Sequence, residues 1–129
     1  MDFKGVVIEE SLEDRSILQT LTITKTKVEA VTADHKTPWL IQWALHTVTI
    51  PEGKAESVAE EVSRSLEREH GWYADFKNDR THFIIFRNKV FKVDRSKPEQ
   101  YKPVVEHGLS LGIPDYQLDF SPAIREWER

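Results

Sequence analysis

A chain of 129 residues with a formal net charge of −4 and no cysteine is one domain's worth of polypeptide, and it excludes a disulfide framework, a thiolate metal site and a cysteine nucleophile. Hydrophobic residues at 39% and charged residues at 31% are the proportions of a packed globular protein, not of a disordered one. No apolar run approaches the ~20 residues of a membrane span, and the opening Met1-Asp2-Phe3-Lys4-Gly5 lacks the basic and apolar blocks of a signal peptide, so the expected location is the cytoplasm.

Residues 3–8 read as a strand, with Val6, Val7 and Ile8 β-branched. Residues 11–15 are a polar connection with room for one helical turn. Residues 18–31 alternate through Leu21, Ile23 and Val28 among threonines and lysines. That pattern predicts a long strand with a register change between Ile23 and Val28. A loop over 32–38 follows, because the residue before Pro38 avoids helix. Residues 39–50 are apolar almost throughout and predict a central strand buried on both faces.

Residues 51–70 carry the strongest helical signal. Ala55, Val58, Ala59, Val62 and Leu66 form one apolar stripe, and Gly71 is placed to terminate it. A meander follows: a strand over 72–77, a turn at Asn78-Asp79, a strand over 82–87, a turn at Asn88-Lys89, and a strand over 90–93. Ser96 with Glu99 suggests a capping box for a second helix carrying Tyr101, Val104 and Val105, with Pro103 an awkward presence inside it. Residues 116–120 predict a last strand, and residues 121–127 a final turn bearing Ile124 and Trp127.

From residue 39 the order is β-α-β-β-α-β. The expected fold is therefore α+β and ferredoxin-like, an antiparallel sheet with two helices, preceded by an additional N-terminal strand pair. A single domain spans 1–129, divided into the strand pair (1–38), the ferredoxin-like core (39–120) and a C-terminal tail (121–129).

Strand parity gives the sharpest expectation. Two-residue turns pair Asp75 with His82 and Phe86 with Phe91. One face then carries Trp72, Ala74, Phe76, Phe83 and Ile85, and the other Tyr73, Asp75, His82, Ile84, Phe86, Phe91 and Val93. Shifting a turn preserves these faces, whereas a loop longer by one residue exchanges them. Both faces are apolar, and two helices on one side of a ferredoxin-like sheet cover only one of them. The second face calls for a cover: the N-terminal strands, a second subunit or a ligand.

Motifs for chemistry are sparse. The five histidines show no metal-ligand spacing, and neither a nucleophile elbow nor a phosphate-binding glycine loop is present. No metal and no cofactor are expected. Asp75 across from His82 is the one candidate acid–base pair, set against a cross-strand ion pair that only fixes register. The acidic group Glu9, Glu10, Glu13 and Asp14 is weighed as a cation site against a solvated loop.

Residues 77–102 hold eight Lys and Arg against three Asp and Glu, around Tyr73, Phe83, Phe86 and Phe91. Aromatics flanked by cations on a sheet stack single-stranded nucleic acid in other folds. The motif that accompanies that use is missing, and the chain is acidic overall.

The expected function is a small non-enzymatic binding or regulatory domain acting as a homodimer, with Phe86, Phe91 and Trp127 at the interface and no membrane involvement. The first alternative is a small-molecule enzyme or effector-binding domain with His46, Asp75, His82 and Arg87 around a pocket and Tyr73 lining it. The second is RNA or single-stranded DNA binding through the basic ribbon 77–102.

Overall fold

A computed structural model describes residues 2–32, 40–113 and 117–118. It is an α+β fold of six antiparallel strands in one open sheet, with two helices. The strands are β1 (Phe3–Ile8), β2 (Thr22–Ala30), β3 (Gln42–Ile50), β4 (Tyr73–Lys77), β5 (Thr81–Phe86) and β6 (Lys89–Asp94); the helices are α1 (Ala55–Ser65) and α2 (Lys102–Ser110). Expectations resting on Trp39, on the 121–127 turn and on Trp127 lie outside the described residues.

The sheet order is β2-β3-β1-β4-β5-β6. This corrects the ferredoxin-like expectation. β3 and β4 both run antiparallel to β1, hence parallel to each other, so β3–α1–β4 is a split βαβ unit whose gap is filled by the N-terminal strand. The N-terminal strands are part of the main sheet. β1 can lie this close to β4 because Gly5 opposes Phe76: a Cβ at residue 5 would stand 2.0 Å from the Asp75 carbonyl oxygen.

The meander has the expected faces in a different register. Lys77 pairs with His82, Phe76 with Phe83 and Tyr73 with Phe86, so the first connection spans residues 78–81 and not two residues. Asn78 makes this loop, its Oδ1 accepting from the N–H groups of Arg80 and Thr81. Phe86 pairs with Lys89, which makes Arg87-Asn88 the second turn, with Asn88 at φ 58°. Both slips are by an even number of residues, so no side chain changes sides.

The helices pack on opposite faces. The α1 stripe of Ala55, Ala59, Val62 and Leu66 is buried in a core with Trp72, Ala74, Phe76, Phe83 and Ile85. On the other face, Tyr101, Val104, Ile113 and Leu118 bury Tyr73, Ile84, Phe86 and Val93, with Phe91 packed against them. The face expected to require a partner is thus covered by the chain's own second helix and the residues after it. The expectation failed because it placed both helices on one side.

Local expectations are also corrected. α1 stops at Ser65, because Leu66 turns extended (φ −67°, ψ 145°) to bridge Leu12; Gly71 is not its cap. Ser96 does not cap a helix: its N–H and hydroxyl bond Asp94 Oδ1, and α2 begins after a 3-10 turn over Pro98–Tyr101. Pro103 sits in the first turn of α2, where a missing N–H costs nothing. Of the expected strand over 116–120, Gln117 and Leu118 are described, and neither is in a strand. β3 is an interior strand buried from Trp43 to His46, but Thr47 and Thr49 are half-buried, so it is not buried along its whole length on both faces.

Candidate functional site

Alternation along β4 and β5 turns Asp75 and His82 to the α2 side of the sheet, diagonally across the ladder. His82 Nε2 lies 2.6 Å from Asp75 Oδ2. A carboxylate only accepts, so Nε2–H donates, and in the neutral imidazole Nδ1 is an acceptor. The Tyr101 hydroxyl, brought in by the 3-10 turn before α2, donates to Nδ1 at 2.9 Å. The three side chains form a phenol–imidazole–carboxylate chain under the second helix. Asp75, His82 and Tyr101 are 7%, 2% and 9% exposed, so the chain is enclosed.

A cationic rim adjoins it. In the β1–β4 ladder Lys4 opposes Lys77 directly, and Lys77 in turn opposes His82. Lys4 is exposed and Lys77 half-buried. Burial holds the Lys77 ammonium below the ordinary lysine range; Asp75 opposes that shift and Arg95 adds to it. Arg95 donates from Nη1 to the Asn78 carbonyl at 2.5 Å and reaches the Tyr101 hydroxyl as well. Burial raises the Tyr101 phenol, with the Asp75 charge in support and Arg95 against it.

The other expected site residues are elsewhere. His46 joins β3 to β2 and to the turn after β1: the Thr26 hydroxyl donates to its Nδ1 at 2.9 Å, and its Nε2 donates to Glu9 Oε1 at 3.1 Å. Arg87 closes the C-terminal end of α1, with Nη1 donating to the carbonyls of Arg64 (2.9 Å) and Leu66 (2.5 Å). Tyr73 bonds the Gln117 carbonyl through its hydroxyl. Phe86 is fully buried and makes edge contacts with Phe91 and His107. His46, Asp75, His82 and Arg87 therefore do not converge on one pocket. An open depression of about 620 Å³ beside β5 and β6, lined by Arg80, Thr81, Lys92, Asp94 and Gln100 among others, takes in none of the four.

Tyr101 and Lys4 are not singled out as site residues by the sequence, and Arg95 only as one cation of the basic ribbon 77–102. Tyr101 arrives from 19 residues beyond His82, and Lys4 depends on β1 entering the gap between β3 and β4, which no local pattern encodes. The acidic group is dispersed: Glu9 holds His46, Glu10 accepts from the Ala44 N–H (2.7 Å), Glu13 holds Arg68 (3.3 Å) and Asp14 bonds Ser16. Among the described residues no three His, Asp or Glu side chains gather as a metal would require, and no helix is long and apolar enough to cross a membrane. Of the four rings expected to stack bases, Tyr73, Phe83 and Phe86 are in the core, and Phe91 is half-buried with Lys89 Nζ 5.1 Å from its ring centroid. Comparison with protein-family models, with curated proteins and with solved structures returns no match.

Proposed function

We propose that this is a non-catalytic ligand-binding domain for a small oxyanion, carboxylate or phosphate, seated on the second sheet face beside the Asp75–His82–Tyr101 chain. The observation that carries it is Lys4 directly opposite Lys77, which burial depresses most, with Asp75 opposing that shift and Arg95 adding to it. Like charges opposed across a ladder destabilise the sheet. An anion between them reverses the sign of that interaction and makes a site of it. The buried chain keeps Tyr101, and through it Arg95, in place at the rim. Enclosure of all three members argues against substrate chemistry at His82.

The test is thermal stability in inorganic phosphate and in citrate against chloride at matched ionic strength. The expected result is a saturable rise in Tm, absent in Lys77→Gln and in Lys4→Gln. Without the anion, Lys4→Gln is expected to be more stable than the parent by about 0.2–1 kcal/mol, because the opposed charge is gone. A rise of equal size in Lys4→Gln would sink the reading.

A further inference from the structure

We infer that the β2 edge is a homodimer interface, in which two copies pair antiparallel about Val28 and extend the six-stranded sheets into one. This is independent of the anion site, which uses β1 and β4.

β2 is the terminal strand of the sheet, nine residues long, with every side chain but Glu29 exposed. Its outward backbone can be assigned. The Val31 N–H donates to the Ile41 carbonyl at 3.0 Å, and the register continues through Ala30↔Gln42, Glu29↔Trp43, Val28↔Ala44, Lys27↔Leu45 and Thr26↔His46. Hydrogen-bonded pairs alternate in an antiparallel ladder. Glu29 and Lys27 therefore bond β3, while Thr26, Val28 and Ala30 turn N–H and C=O away from it. The Ala44 N–H agrees, since it faces away from β2 and donates to Glu10 Oε1. Among the described residues no strand adds to this edge.

Charge selects the partner and the register. Residues opposed across an antiparallel pair share a face, so a two-fold axis normal to the sheet passes midway between a central residue and its own copy. Centring on Thr26 sets Lys25 against Lys27; centring on Lys27 sets Lys27 against itself; centring on Glu29 does the same to Glu29. Centring on Val28 sets Lys27 against Glu29 of the second copy, twice by symmetry, and Thr26 against Ala30. Lys27 and Glu29 already form an ion pair at 3.3 Å on one face, so the four charges alternate around the axis. Val28, 57% exposed, meets its own copy on the opposite face. Such self-complementarity is what an isologous interface requires. A second copy of this chain therefore fits the edge better than an unrelated strand.

Edge lysines also serve to keep sheets apart, so the decisive experiment is mass in solution by light scattering with size exclusion, over a wide concentration range. The expected result is a dimer that dissociates toward the 15.1 kDa chain on dilution. Lys27→Glu and Glu29→Lys should each weaken dimerisation about tenfold or more by opposing like charges, and the double swap should restore it. Val28→Pro removes an N–H that β3 does not use, so it should yield a folded monomer. A parent chain that stays monomeric at all concentrations overturns the proposal. A dimer indifferent to the swaps and to Val28→Pro overturns it equally.

Discussion

Tyr101 has the most informative titration in the molecule. Burial is the main cause of its raised phenol pKa, and its hydrogen bond to His82 exists only in the protonated form. A group whose folded pKa is raised stabilises the fold fully below its unfolded value. That contribution is lost as pH climbs through the folded value, so the window lies at and above the ordinary tyrosine range, about pH 10. Lys77 acts in the opposite sense there: its folded pKa is lowered, so deprotonation at alkaline pH relieves a penalty. Two substitutions separate the two groups. Tyr101→Phe should cost about 1 kcal/mol at neutral pH by urea denaturation and should delete a raised component of the ultraviolet phenolate titration. Asp75→Ala should cost more, about 1–3 kcal/mol, because it removes the acceptor that the buried His82 N–H requires. If the component lost in Tyr101→Phe titrates in the ordinary tyrosine range, the phenol is not held by this chain.

At the scale of elements, the close approach of β1 to β4 gives a sharp contrast between two glycines. Gly5→Ala drives a methyl into the Asp75 carbonyl, and the flanking ladders to β3 and β4 leave no room to yield. About 3 kcal/mol or more of destabilisation is expected, at the upper end for overpacking. Gly53→Ala meets nothing within 4 Å and should be neutral or slightly stabilising. Chemical denaturation of the two variants side by side checks this. The same elements show what the sequence could convey. The α1 stripe and the alternating faces of β4 to β6 were legible because period 3.6 and period 2 are local, and an even slip in register keeps every side chain on its face. The Asp75–His82 contact was legible for the same reason, although the register proposed for it was two residues out. Helix ends were not legible, since α1 stops where Leu66 bridges Leu12, a partner 54 residues away in the chain. The strand order was equally hidden: β1 entering between β3 and β4 is a long-range choice, and Lys4 joins the site only through it.

For the whole molecule, the sheet is the shared wall of two cores. β4 sends Ala74 and Phe76 to the α1 side and Tyr73 to the α2 side; β5 sends Phe83 and Ile85 one way and Ile84 and Phe86 the other. Neither layer can lose its sheet without stripping the other, so the two cores should unfold together. Phe86→Ala tests this because its ring is wholly in the α2 core while its carbonyl accepts from Ser63 of α1 at 2.6 Å. The loss should be about 3–5 kcal/mol. Amide exchange under native conditions should show it equally at Val62 in α1 and Val104 in α2, because both open only with the sheet. A drop confined to Val104 would mean that the α2 layer opens by itself, and that Tyr101 and Arg95 can leave the rim while the remaining sheet stays folded.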